Sequence, residues 1–211
     1  MGNGRHLTAW LLLGLLTVVG AGGAVLGVVQ SPKSASLDAA VANTLAAPNY
    51  TEVLSEVTQE GDQTDYLVYQ APDRLGGYIE SGSKRTHTYV YIIGPLEYQS
   101  VTVSSKASTA HLSFYKQASP GGAKSSDPVQ RYLSYAIPKN VKQSGNTYTY
   151  RLTERSTQGG SETGVFTYTV SGQYISEFTL TLPQGSVKLI ISQVGTSPPV
   201  ALPSGAKLIA G

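Results

Sequence analysis

The chain has no cysteine among its 211 residues. That absence excludes disulfides, thiol catalysis, thiolate metal sites and any lipid attached through sulfur. Charge is scarce as well: 13% of residues, with 15 Lys+Arg against 13 Asp+Glu for a formal +2. So near a balance, with no basic run, argues against nucleic acid as a partner. The three His (His6, His87, His111) lack the close spacing of a multi-His metal centre, and neither a metal nor any other cofactor is expected. Trp10 is the single tryptophan, so beyond the N-terminus Tyr must supply the large amphipathic side chains. With the N-terminal segment set aside, the length fits one domain.

That segment is where the one long apolar run lies. No charge falls between Arg5 and Lys33, and Thr8 to Val29 reads as a continuous apolar stretch. As a helix it runs ~33 Å, about the thickness of a bilayer's hydrocarbon core. A cleavable signal is the other reading, with Leu11 to Val19 as its apolar region and cleavage near Ala24 or Ala35. Either way the remainder is exported, single-pass and anchored in the cell membrane in the first case and secreted in the second. Gly14, Gly20, Gly22, Gly23 and Gly27 either loosen this helix or mark a small-residue packing face. Residues 1–35 are therefore signal or anchor with a linker from Gln30 to Ala35, and 36–211 are the domain.

The domain opens with a helix capped by Ser36, its apolar stripe made by Leu37, Val41 and Leu45. From Tyr50 the period changes to two. Strands are expected at 50–59, 66–71, 77–81, 86–93, 96–103 and 110–117, separated by turn chemistry such as Pro72-Asp73 and Gly94-Pro95. Ala118–Ser126 reads as an exposed loop. A second helix begins at Asp127-Pro128, with Asp as cap and Pro at the first helical position, and Val129, Tyr132, Leu133 and Ala136 as its apolar face. Four more strands follow at 147–155, 163–171, 173–182 and 186–194, and then an extended tail. In 173–182, Tyr174, Phe178, Leu180 and Leu182 share one face; Phe166, Tyr168 and Val170 do so in 163–171. One dry and one wet face point to a single sheet packed on one side. The fold class is α+β, mainly antiparallel β: a strongly curved half-barrel of about ten strands with two helices over its concave face.

Two stretches resemble a known family. Tyr69-Gln70-Ala71-Pro72-Asp73-Arg74, with the apolar strand Tyr89-Val90-Tyr91-Ile92-Ile93-Gly94 and then Leu96-Glu97-Tyr98, resembles a hairpin of the half-barrel lipoprotein carriers (LolA-like) of the bacterial envelope. Tyr148-Thr149-Tyr150 through Tyr174-Ile175-Ser176, ending in Ile191-Ser192-Gln193-Val194-Gly195 and Pro203-Ser204-Gly205-Ala206, is similar to the C-terminal half of the same superfamily, especially actinobacterial envelope members that bind acylated lipids. The resemblance spans roughly Leu37 to Lys207. It implies a hydrophobic ligand, a lipid or the acyl chains of a lipoprotein, and a membrane partner through the N-terminal helix. The chain departs from relatives anchored through a lipidated Cys, because it has none.

All 14 Tyr lie at or after Tyr50. Each is either an ordinary sheet residue or part of a cavity lining. With the resemblance, the cavity candidates are Tyr91, Ile93, Leu112, Phe114, Phe166, Tyr168, Phe178 and Leu180, with Tyr132 and Leu133 from the second helix. An acyl chain gains ~0.8 kcal/mol per buried methylene, so such a hollow needs no catalytic group to hold it.

Enzyme chemistry is not expected. There is no G-x-S-x-G elbow, and His87 and His111 read as satisfied or solvated. Glu52 and Glu56 share a strand face that reads as its solvated side. Lys84-Arg85 is a turn dipeptide able to meet an anionic headgroup. The rival to a carrier is an extracytoplasmic sensor or regulator that uses the same fold to contact an envelope protein.

Overall fold

The computed structural model describes residues 32–59, 61–82, 85–155 and 161–209. The apolar segment Thr8–Val29 and Lys84 lie outside the described residues. Among the described residues no helix is long and apolar enough to cross a membrane.

The first helix, α1 (Pro32–Leu45), begins before the expected cap, so Ser36 lies inside it and the expected linker is already helical from Pro32. Proline lacks an N–H and is preset in φ, which suits a first helical turn. Leu37, Ala40 and Val41 are buried as the stripe requires. Thr44 joins them, its hydroxyl donating to the Ala40 carbonyl (2.7 Å) and accepting from the Ile175 N–H (2.9 Å).

Seven strands follow: β1 (Asn49–Thr58), β2 (Gly61–Gln70), β3 (Arg74–Ser81), β4 (Thr86–Ile93), β5 (Leu96–Ser100), β6 (Val103–Ser104) and β7 (Ser113–Ala118). Two short helices come next, α2 (Gly122–Ser126) and α3 (Pro128–Leu133). Then come β8 (Lys142–Ser144), β9 (Thr147–Arg155), β10 (Ser161–Ser171), β11 (Tyr174–Leu182), β12 (Gly185–Ser192) and β13 (Lys207–Ile209). They form one curved, open sheet of thirteen strands ordered β13-β7-β5-β4-β3-β2-β1-β12-β11-β10-β9-β8, with β6 on β4. The pairing of β13 with β7 is parallel, whereas the other ladders run antiparallel.

The half-barrel expectation holds in outline, but ten strands and two helices was too few. β6, β8 and β13 have two or three residues each, too few for alternation to show in sequence. The expected loop Ala118–Ser126 contains α2, whose Ala123 is buried. The helix α3 stops at Leu133, so Ala136, expected on its apolar face, lies beyond it and is exposed. The Ser134 hydroxyl bonds back to the Gln130 carbonyl there, a side-chain bond that competes with helix propagation.

The seam of the sheet is the ladder from Thr51↔Ser192 to Thr58↔Gly185, which joins the β1–β7 half to the β8–β12 half. Alternation along the strands then sorts side chains between two faces. The inner face carries Tyr50 and Leu54 of β1, Leu67 and Tyr69 of β2, Leu75 and Ile92, and the aromatic and aliphatic residues of β9–β12, all packed with α1 and α3 into one core. In β11 the pairing with β10 slips between Thr169 and Val170, so Ile175 is buried while Tyr174, expected inside, is not.

The outer face is not simply wet. The tail crosses it: Arg74 Nη1 donates to the Val200 carbonyl (3.0 Å), and the Val200 N–H donates to Gln70 Oε1 (3.1 Å). Val200 and Phe114 are buried, and Tyr91 meets Phe114 edge-on at 5.8 Å. The Gln70 and Arg74 of the hairpin motif thus hold down the tail. Beyond its reach, Ile190, Val53, Tyr66, Tyr78 and Tyr89 are successive cross-strand partners and form an apolar row over five strands. Ile190 and Tyr66 in it are exposed.

Candidate functional site

The site begins with how α3 is held. Asp127 caps it as expected, Oδ1 accepting from the Val129 N–H at 2.8 Å, with Pro128 at the first position. The other carboxylate oxygen accepts the Tyr50 hydroxyl of β1. Farther along, Gln130 Nε2 donates to the Leu45 carbonyl at the end of α1 (3.1 Å), and the Tyr132 hydroxyl donates to Glu56 Oε1 (3.0 Å). Three polar clamps therefore seat a six-residue helix on an apolar floor.

Six of the ten sequence candidates meet there. Tyr132 stacks on Phe178 (centroids 5.7 Å), Phe178 meets Tyr168 at 5.0 Å, and Phe166 stacks on Tyr150 at 4.7 Å. Leu133 and Leu180 complete the group, and all six are between 0% and 4% exposed. At that exposure these side chains fill the hollow themselves.

The other four candidates are elsewhere. Ile92, not Tyr91 or Ile93, belongs to the inner core, so alternation puts Tyr91 and Ile93 on the outer face. Phe114 is with Tyr91 under the tail, and Leu112 is buried outside the inner core. The physical reason is that β4 is apolar at consecutive positions and covered on both sides, so its sequence does not tell inside from outside.

Glu52 corrects the reading more sharply. It is fully buried on the inner face between Tyr50 and Leu54, not on a solvated side. Glu56 shares that face and is half-buried, its carboxylate taken by Tyr132. Glu52 Oε2 accepts from the Val129 N–H (3.2 Å), while Oε1 has no ordinary donor. Burial, and then the Asp127 charge, push the Glu52 carboxyl well above the usual range. That direction favours the protonated form of Glu52, and its Oε1, which has no other partner, is the oxygen free to carry the proton. Asp127, buried but held down by bonds from Tyr50, Val129 and Glu52, rises only to about 6. Burial likewise drives the phenols of Tyr50, Tyr132 and Tyr168 far upward, so they remain neutral donors.

Asp65, opposite Leu54 in the ladder, is a second buried acid, pushed by burial from 3.8 to about 7 although Gln63 Nε2 donates to it at 2.9 Å. A carboxyl raised on folding makes the native state bind protons more tightly. Its stabilising effect is complete below pH ~4 and is lost as pH rises towards the raised value. Asp65→Asn keeps the oxygen that accepts from Gln63 and removes the titration. Urea midpoints of the variant should therefore fall less than the wild type's between about pH 4 and about pH 7. Parallel profiles would show that Asp65 is not held in this way.

Of the remaining singled-out residues, His87 pairs through Nε2 with Glu80 (3.0 Å) and stacks on Tyr78 while its buried Nδ1 has no hydrogen-bond partner, and His111 is exposed in a 3₁₀ turn. Asn49 Oδ1 accepts from the N–H and hydroxyl of Ser197. Among the described residues no three His, Asp or Glu side chains converge to hold a metal.

No protein-family model matches the chain, and no curated protein matches it in sequence. Solved structures do. LprF from Mycobacterium bovis aligns at 12% identity with a TM-score of 0.48, covering 84% of this chain and 99% of that one. The Mycobacterium tuberculosis lipoprotein LppX aligns at 12% identity with a TM-score of 0.50, covering 82% of this chain and 100% of that one. The chain has the fold of the mycobacterial lipoprotein LppX.

Proposed function

We propose that the protein is an exported envelope component that reversibly binds a hydrophobic ligand, a lipid or the acyl chains of a lipoprotein, on the inner face of its curved sheet. No covalent step is involved. The observation that carries this reading is the packing of Tyr132 and Leu133, on a short helix held by a few polar bonds, over an apolar floor of Phe166, Tyr168, Phe178 and Leu180. Lifting α3 exposes aromatic and aliphatic area that an acyl chain covers again, at ~25 cal/mol per Å². The fold shared with a lipoprotein gives independent support. The N-terminal apolar segment would place this domain outside the membrane, tethered or released.

Native mass spectrometry of protein purified from its own host tests the reading. The expected spectrum carries an acyl lipid that is lost on gentle activation. Ligand-free spectra from repeated preparations would overturn it. A sensor acting through protein contact is the second reading, and it draws on the outer apolar row from Ile190 to Tyr89 and on the filled interior. It is favoured if the same preparations instead contain a stoichiometric protein partner.

A further inference from the structure

The acids beneath α3 are an unusual choice for a core. Glu52 is fully buried, Asp127 is fully buried, and the two lie against one backbone amide, the Val129 N–H, which both contact. One proton between them makes the arrangement work. Glu52 then donates to Asp127, Asp127 receives the Tyr50 hydroxyl as well, and the start of α3 is fixed to β1. Without that proton, two carboxylates lie together in a fully buried site, and like charges there repel far more strongly than in solvent. The simplest relief is to let water in, which means parting α3 from β1.

We propose that the Glu52 proton is the latch of α3, the lid: present, it holds the inner face shut, and released to solvent, it frees the lid and opens the floor to a hydrophobic ligand. The proposal rests on the binding reading above for what enters, but not for the movement itself.

The neighbours of the pair support a response of this sign. From β1 come Tyr50 and Glu56. β2 contributes Asp65 and Tyr69, the latter stacked on Tyr50 at 5.0 Å, and the β2–β3 turn contributes Asp73. α3 brings Arg131 and Tyr132. Of these, Arg131 is the one cation, and its guanidinium lies over the Tyr132 ring at 4.9 Å. On the other flank β12 presents only Ile191, Leu189 and Val187 opposite Glu52, Leu54 and Glu56. The surroundings are thus apolar or acidic, with one cation, and they favour the protonated pair.

The sign follows from linkage. Acids raised in the closed state give it stability that is complete below pH ~4 and that fades as pH rises through the raised values. The lid is therefore tightest under mildly acidic conditions and loosens towards neutral and alkaline pH. The other clamps, Gln130 to Leu45 and Tyr132 to Glu56, belong to the same closed state and re-form when the proton returns.

The test uses hydrogen exchange of the full chain, expressed as protection factors so that the intrinsic pH dependence of exchange is removed. Nile red, which keeps its charge over this range, serves as the apolar probe. Between about pH 5 and about pH 8 the amides of 129–133 should lose protection by about tenfold or more, while those of β10 and β11 stay protected, and Nile red binding should rise in step. Glu52→Gln, which keeps an oxygen for the Val129 N–H and can donate to Asp127, should hold the lid protected and Nile red excluded throughout. Tyr50→Phe removes one bond without removing the titration, so it should lower protection at both pH values and leave the pH response in place. Equal protection of 129–133 at the two pH values, or the same pH response in Glu52→Gln, overturns the latch. A pH-dependent lid with no Nile red bound at either pH supports the latch and counts against the binding reading alone.

Discussion

Replacing Phe178 with Ala should remove about 3–5 kcal/mol of stability, read as a lower midpoint in urea at unchanged slope. The ring has no exposed surface and touches Tyr132 on the lid, Tyr168 at 5.0 Å and Phe166 at 6.2 Å on the neighbouring strand. Truncation removes the transfer energy of the ring and leaves a cavity that three rigid aromatics cannot collapse to fill. The adjacent ladder supplies a control. Ile190 lies one strand away on the opposite face at 41% exposure, and its change to Ala should cost no more than about 0.5 kcal/mol. A loss below about 1 kcal/mol at Phe178 would mean that the inner face is looser than described.

Gly77→Ala should be comparably damaging for a different reason. A Cβ at Gly77 would lie 1.9 Å from the Tyr66 carbonyl oxygen, and backbone, unlike a side-chain tip, has no rotamer to retreat into. β2 and β3 must then separate at the Leu67↔Gly77 pair, beneath the outer row of Tyr66, Tyr78 and Tyr89. The expected cost is about 3 kcal/mol or more, with the far-ultraviolet signature of the sheet altered as well. Gly172 is the contrast. It also has a left-handed φ, of 60°, yet a Cβ there meets nothing, so its change to Ala costs only the local backbone preference. Equal small effects at the two glycines would rule out the close approach of β2 to β3.

These elements also show what a single sequence can reveal. The long hairpins over 147–182 were readable because each strand has Thr alternating with an aromatic or Leu, as in Thr147-Tyr148-Thr149-Tyr150, Phe166-Thr167-Tyr168-Thr169 and Phe178-Thr179-Leu180-Thr181, and the Asp127-Pro128 helix start because its chemistry is local. Where both sides of a strand are covered, alternation loses its meaning, and Tyr91 and Ile93 were placed on the wrong face for that reason. Short strands were missed because two or three residues carry no period. Glu52 was missed because a carboxylate in a strand ordinarily marks water, and the groups that make its burial tolerable come from elsewhere: Asp127 and the Val129 amide lie far along the chain. One clue was present all the same. Glu52 sits between Tyr50 and Leu54 at even spacing, so a face that was apolar on both sides of it had already committed the acid to the interior.

The β1–β12 seam has a consequence for how the molecule is made. Each half of the sheet is a run of neighbouring hairpins that can assemble from nearby residues, but Thr51 finds Ser192 only after almost the whole domain is available. Joining them closes a very long loop, a step whose entropy is not repaid until the ladder is complete, so it belongs to the slow end of folding. Until then both halves have an open edge and an uncovered greasy side. A nascent chain of this design stays unfinished until its last strands emerge.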